Sequence, residues 1–162
     1  MTELHLGVVA GEASGDALGA AVIEALRERC TWLRVEGVGG EHMIAAGLES
    51  RFPMERLAVN GLVDPLRRLP ELLRRRAGLV RHFRGDAPHV FLGIDSPDFT
   101  LGLARALHAS GIPTAHLVSP SVWAWRSGRL GGIARAVDYM LCLFPFETDI
   151  YREQGIPVRC VG

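Results

Sequence analysis

The sequence predicts an α/β domain built on a mostly parallel sheet with helices on both faces. Two observations carry that expectation. Short apolar runs alternate with stretches of helical spacing from one end of the chain to the other. The runs are apolar at consecutive positions, as strands covered on both faces are, rather than alternating apolar with polar.

Residues 4–10 read as a first strand, ended by Gly11. Ser14 or Asp16 can cap the helix that follows over 17–29, where Leu18, Ala21, Val22, Ala25 and Leu26 keep helical spacing. A second strand is expected over 34–38, and a short helix over 42–46 is stopped by Gly47. Residues 48–62 fit neither period. Over 66–83, Leu66, Leu69, Leu73, Ala77, Val80 and Phe83 recur every three or four positions with arginines between them. That spacing predicts an amphipathic helix restarting at Pro70, a residue suited to a first turn. Residues 87–94 make a strong strand, followed by a helix over 99–110 that Asp98 caps and Gly111 closes. A strand over 113–118, a helix over 129–136, a strand over 139–143, a helix over 147–154 and a strand over 158–161 complete the pattern. The chain stops within that last strand or at its tip, so a fragment of a larger protein is expected.

Length and composition narrow the classes. A chain of 162 residues suits one domain with a real core. Hydrophobic residues at 48% against charged residues at 22% exclude a disordered chain. No apolar run approaches the roughly 20 residues that span a bilayer, and the first residues lack the basic and apolar regions of a signal peptide. Cys30, Cys142 and Cys160 are far apart and form no CxxC pair, so reduced thiols in the cytoplasm are the default. A formal charge of zero argues against a general nucleic-acid binder. His5, His42, His82, His89, His108 and His116 show no metal-ligand spacing, and no metal or cofactor is implied. His116, in an expected buried strand, reads as a satisfied core histidine.

Ligands of an open parallel sheet bind at the carboxyl ends of its strands. Four loops fall there, at residues 11–16, 95–99, 119–126 and 145–147, and each carries carboxylates, hydroxyls or aromatics. The first, with Glu12, Ser14 and Asp16, puts small residues before a helix N-terminus as phosphate loops do. It matches neither GxGxxG nor GxxxxGK[ST], and its two carboxylates oppose a bare phosphate. A plain capping turn is the competing reading. Asp95 directly follows an apolar strand, so it stands on a rigid element where a partly desolvated carboxylate can take a proton from a hydroxyl. The third loop holds Ser119, Ser121, Trp123, Trp125 and Arg126. Two indoles in a surface loop expose apolar area unless they pack on a ligand, a partner or the core. The helix over 66–83 has two readings, a basic face lying on an anionic membrane and a solvated arginine face over a core-packed leucine stripe.

The sequences Gly-Glu-Ala-Ser-Gly-Asp at 11–16, Ile-Asp-Ser-Pro-Asp-Phe at 94–99, Ser-Pro-Ser-Val-Trp-Ala-Trp-Arg at 119–126 and Pro-Phe-Glu at 145–147 closely resemble the lipid-A-disaccharide synthase family. The resemblance runs over the whole chain and covers the N-terminal half of that family. It implies one Rossmann-like acceptor-binding domain over residues 1–162, with a C-terminal UDP-sugar-binding domain absent, in the two-domain architecture called GT-B. The implied activity is inverting and metal-independent. It transfers 2,3-diacylglucosamine from UDP-2,3-diacylglucosamine to 2,3-diacylglucosamine 1-phosphate, forms the β-1,6 disaccharide of lipid A and releases UDP. The fragment alone is expected not to turn over. By resemblance Asp95 is the general base and Glu12 and Asp16 lie by the reacting sugars, while Ser14, Asp98, Ser119, Ser121, Trp123, Trp125 and Arg126 complete the expected substrate-binding set. The resemblance also favours peripheral contact with the inner face of the bacterial inner membrane. Leu62, Leu66, Leu69, Leu72 and Leu73, with Arg67, Arg68, Arg74 and Arg75, would supply it. One stretch departs from the family, with Val59-Asn60-Gly61 and Asp64-Pro65-Leu66 where Val-Met-Gly and Glu-Val-Leu are usual. A non-catalytic nucleotide- or sugar-binding module is the alternative. A dinucleotide oxidoreductase is disfavoured because GxGxxG is missing.

Overall fold

Strands that are apolar at every position have no face to give to solvent, and helices cover both sides of them here. The computed structural model describes residues 2–58, 65–120 and 129–162. In chain order the elements are β1 (Thr2–Ala10), α1 (Ala13–Arg29), β2 (Cys30–Val38), α2 (Glu41–Ala46), β3 (Leu48–Ser50), a 3₁₀ turn (Met54–Arg56), α3 (Pro65–Gly85), β4 (Val90–Ile94), α4 (Pro97–Ala109), β5 (Thr114–Leu117), α5 (Arg129–Ala136), β6 (Tyr139–Cys142), α6 (Pro145–Glu153) and β7 (Val158–Cys160). Among the described residues the strands form one sheet in the order β3-β2-β1-β4-β5-β6-β7. Every neighbouring pair is parallel. The expected fold class is what the chain adopts.

Alternate strand positions feed two cores. Leu6, Val8, Leu92 and Ile94 pack beneath α1 and α2 with Ile23 and Met43. Val9 and Phe91 face the other way, onto Leu79 and Phe83 of α3, Leu103 and Leu107 of α4, Ile133 of α5 and Tyr151 of α6.

Several boundaries move from those the sequence suggests. Helix α1 starts at Ala13, with Gly15 and Asp16 already buried in its first turn, so tertiary packing overrides a loop-like composition. Its N-cap, Glu12, makes no side-chain cap bond, and neither Ser14 nor Asp16 serves as the cap. Helix α4 starts at Pro97 after Ser96, so Asp98 lies inside the first turn, where it suits the helix dipole, rather than at the cap. Helix α3 runs unbroken through Pro70 instead of restarting there. Gly47 adopts φ of +117° and ends α2 as expected. His116 is fully buried, as expected of a core histidine; the Val118 backbone lies near enough to act on its ring, but neither ring nitrogen makes a hydrogen bond of ordinary geometry to a described residue. Burial pushes its pKa down to about 4 and keeps the ring neutral.

Candidate active site

The sheet order reverses between β1 and β4. From β1 the chain moves outward through α1 to β2, whereas from β4 it moves the opposite way through α4 to β5. Such a switch point opens a crevice at the carboxyl ends of the two central strands. Here the loop after β1 meets the loop after β4. A Cβ on Gly11 would lie 2.5 Å from Ser96 Oγ, so only glycine lets the two loops approach this closely.

A cleft of about 470 Å³ fills the crevice. One rim is Gly11 and Glu12, and a second is Ser96 to Phe99 at the start of α4. The remaining wall is apolar and comes from Leu57 together with Leu69, Leu72 and Leu73 of α3. These leucines, with Arg76, recur at the spacing that puts residues on one helical face. Arg76 is the cation of that wall, and its guanidinium donates to the Asp98 carbonyl at 3.4 Å.

Asp95 occupies the turn between β4 and the cleft. Its φ of +50° and that of Ser96, +42°, are left-handed values that a side chain adopts only at a cost. Hydrogen bonds from several sides hold the turn, among them those of the Phe99 and Thr100 N–H groups to the Ser96 carbonyl, both at 3.0 Å. The Asp95 N–H donates to the Leu117 carbonyl at 3.0 Å, extending the β4–β5 ladder by one residue. Thr100 Oγ1 donates to the carbonyls of Asp95, at 2.8 Å, and Ser96, at 3.1 Å. Asp95 is half-buried and is not itself among the residues that line the cleft, which begin at its neighbour Ser96; its carboxylate makes no hydrogen bond to another described residue. Val118, just after β5, has φ of +75°, so the turns after the neighbouring strands β4 and β5 both enter the left-handed region.

The other sequence-selected residues divide. Glu12 and Asp98 line the cleft, and Ser14 is exposed on the first turn of α1. Asp16 is engaged elsewhere. Its carboxylate accepts the backbone N–H groups of Gly40 at 2.8 Å, Met43 at 3.0 Å and His42 at 3.1 Å, and His42 Nδ1 lies 3.0 Å away. It therefore caps α2, an element 25 residues further on. Burial alone would raise its pKa, but the bonds from Met43, His42 and Gly40 outweigh that and hold it below the usual carboxylate range. Ser119 is also committed, donating to the Pro120 carbonyl at 2.9 Å and meeting the Tyr151 hydroxyl. Burial pushes the Tyr151 pKa up to about 12. Ser121, Trp123, Trp125, Arg126 and Leu62 lie outside the described residues. At the fourth loop Phe144 and Phe146 are exposed and stacked, with ring centroids 5.8 Å apart.

Of the described leucines selected for membrane contact, Leu66 is the most open, at 76% exposed. Leu69 and Leu73 are partly open at the cleft, and Leu72 is partly covered there. Arg68 is tied to the carbonyls of Ala58 and Arg56, and Arg75 to Glu71 at 3.1 Å, so neither guanidinium is free. Leu57, Ala58 and Arg76 are cleft residues that the sequence reading does not single out. The signal for Arg76 was available in its spacing from Leu69, Leu72 and Leu73.

Away from the cleft, His5, Glu36 and Asp86 bring ligand-type atoms within 4.8 Å of one another. The Arg34 guanidinium already occupies that cluster, 3.3 Å from Glu36 and 2.7 Å from Asp86, so a cation is present without a metal.

Comparison with known proteins bears on the family and the fold. The sequence model of the lipid-A-disaccharide synthetase family matches residues 6–162. A lipid-A-disaccharide synthase from Cellvibrio japonicus is 56% identical over 159 residues, covering 98% of this chain and 41% of the relative. Another from Alkalilimnicola ehrlichii is 55% identical over 159 residues, covering 98% of this chain and 42% of the relative. The chain thus spans about two fifths of the length of the curated relatives it matches. Among solved structures, a UDP-GlcNAc 2-epimerase from Neisseria meningitidis bound to UDP-GlcNAc superposes with a TM-score of 0.63. The match covers 100% of this chain and 46% of that one, and at 10% identity it shows a shared fold alone.

Proposed function

Because the chain belongs to the lipid-A-disaccharide synthetase family, we propose that it is the acceptor-binding part of an inverting glycosyltransferase of lipid A biosynthesis. The donor is UDP-2,3-diacylglucosamine and the acceptor 2,3-diacylglucosamine 1-phosphate. The products are the β-1,6-linked disaccharide and UDP. The observation that supports this reading is the cleft itself, which sets a leucine wall against a strained, carboxylate-bearing turn at the switch point.

Each part has a role in that reaction. The apolar side chains of Leu57, Leu69, Leu72, Leu73 and Phe99 suit acyl chains, which gain by leaving water. Glu12, Ser96 and Asp98 offer acceptors and a hydroxyl to the sugar. The Asp95 carboxylate takes the proton of the acceptor's 6-hydroxyl as that oxygen attacks the anomeric carbon. The bond from that carbon to the UDP oxygen breaks, UDP leaves with the electron pair, and the configuration inverts. The turn contributes positioning, because a base whose backbone is tied to Leu117 and to the Thr100 hydroxyl need not reorganise as the proton moves. Asp16 acts at one remove in this scheme, fixing α2 beside the β1 loop. We assign UDP binding to the part of the relatives' length that this chain does not span, so residues 1–162 alone do not turn over.

Both proposed substrates carry acyl chains. The amino-terminal half of α3, with Leu66, Leu69, Leu73 and Arg67, is the surface suited to rest on an anionic bilayer at the inner face of the inner membrane. No helix among the described residues is long and apolar enough to cross one. The test is disaccharide formation by the full-length enzyme with Asp95→Ala or Asp95→Asn. We expect turnover to fall by a factor on the order of 10² to 10⁴, the range for loss of a general base. Near-normal turnover would remove Asp95 from the role.

A further inference from the structure

A second hollow, of about 400 Å³, lies along the other flank of α3. Its lining carries three guanidiniums, Arg51, Arg74 and Arg75, against one carboxylate, Glu71. Arg75 is already held, by Glu71 and by its stacking 4.6 Å from the centre of the Phe52 ring. Arg51 and Arg74 are different. Neither side chain has a hydrogen bond or ion pair among the described residues, whereas Arg68, Arg76 and Arg84 of the same helix are each bonded to a neighbouring segment. The two come from separate elements that are both fixed. The Arg51 N–H donates to the Gly37 carbonyl at 2.7 Å, which anchors its backbone to the end of β2.

The floor between them is unusual. Gly78 sits inside α3, where glycine costs about 1 kcal/mol relative to alanine. A Cβ there would meet nothing within 4 Å, so packing does not require the glycine. The missing side chain leaves that part of the lining as bare backbone.

We propose that this groove binds a phosphate group, clamped between the guanidiniums of Arg51 and Arg74 above the Gly78 floor. Two planar forks with unused N–H donors match the oxygens of a phosphate, and the surplus of positive charge matches its charge. The phosphate can come from a soluble sugar phosphate or from the headgroup of an anionic lipid, and the chemistry of recognition is the same. The site lies on the opposite flank of α3 from the leucine-lined cleft, and its test reads binding. Its failure is therefore separate from failure of the glycosyltransferase reading.

The test compares the purified protein with an Arg51→Gln/Arg74→Gln variant. An Arg81→Gln/Arg105→Gln variant, which removes the same charge outside the groove, is the control. The probes are glucose 1-phosphate, followed by calorimetry, and phosphatidylcholine vesicles with or without phosphatidylglycerol, followed by co-sedimentation. The groove variant should lose at least tenfold in affinity for one probe while the control stays within twofold. Loss toward glucose 1-phosphate identifies a sugar phosphate as the source, and loss toward the anionic vesicles alone identifies a lipid headgroup. Equal loss in both variants, or no binding of either probe by the unaltered protein, overturns the proposal. Gly78→Ala guards against a folding artefact, since alanine should raise Tm. Its affinity should fall at least threefold while Tm rises, and wild-type affinity would overturn the seat of the phosphate on that floor.

Discussion

At Asp95 and Ser96 two side-chain-bearing residues hold positive φ, a conformation costing on the order of 1–3 kcal/mol each. The Thr100 hydroxyl bonds both carbonyls of that turn, so it is the group that keeps the strained geometry in place. Thr100→Val should destabilise the protein by about 1–2 kcal/mol in urea unfolding. With Asp95 as the base we propose, the same variant in the full-length protein should lower kcat more than it raises KM. Asp16 behaves differently. Asp16→Ala strands three N–H donors at the start of α2 and should cost about 2–3 kcal/mol. If it instead abolished turnover with unchanged unfolding, Asp16 would return to the substrate. The position of Asp95 at the carboxyl end of β4 was legible in the sequence because it directly follows an apolar run. The role of Asp16 was not, since its partners are distant in sequence and the nearer helix offered a local explanation.

Helix α3 divides its surface three ways. Leu79 and Phe83 enter the core, Leu69, Leu72 and Leu73 line the cleft, and Arg74 and Arg75 line the second groove. Leucine spacing gave the helix but could not tell core from cleft, because both demand apolar residues on one face. Replacing Leu66, Leu69 and Leu73 with serine should release the protein from anionic vesicles in a flotation assay. Since all three are substantially exposed, Tm should shift by no more than a few degrees. Recovery with vesicles at the unaltered level would count against membrane contact by this helix. Pro70 misled the reading of the same element. A proline in the second turn removes one backbone donor and crowds one carbonyl, and the tertiary contacts of α3 hold the helix together regardless.

Across the whole molecule, the groups most sensitive to pH are buried in both layers. His116 has its pKa pushed below the value of 6.5 expected in the unfolded chain, to about 4. The unfolded chain therefore binds the extra proton between those values, and stability must fall as pH drops through that window. The slope is at most about 1.4 kcal/mol per pH unit for one proton. Chemical unfolding from pH 7.5 to 4.5 should show this decline, and His116→Leu should flatten it. Glu36 is also buried. Burial would raise its pKa, but bonds from His82, at 3.0 Å, and His5, at 2.7 Å, hold it below the usual range. Its contribution is thus present above about pH 4.5 and lost as pH falls through its folded value, so acid unfolding below pH 4 should become shallower in Glu36→Gln. The parallel layering was legible from the alternation of apolar runs and helices. The strand order was not in the composition, and it is the order that brings residues 11–12 beside residues 95–99.

That order also sets a timetable during synthesis. Ala10 pairs with Ile94, so β1 must wait for a strand made much later. At about 5–20 residues per second, the roughly 84 intervening positions take on the order of 4–17 s on the ribosome. Throughout that interval β1 offers an open apolar edge. A nascent chain stalled between α3 and β4 should therefore be the species most readily captured by chaperones and cut by proteases, and completing β4 should end that vulnerability.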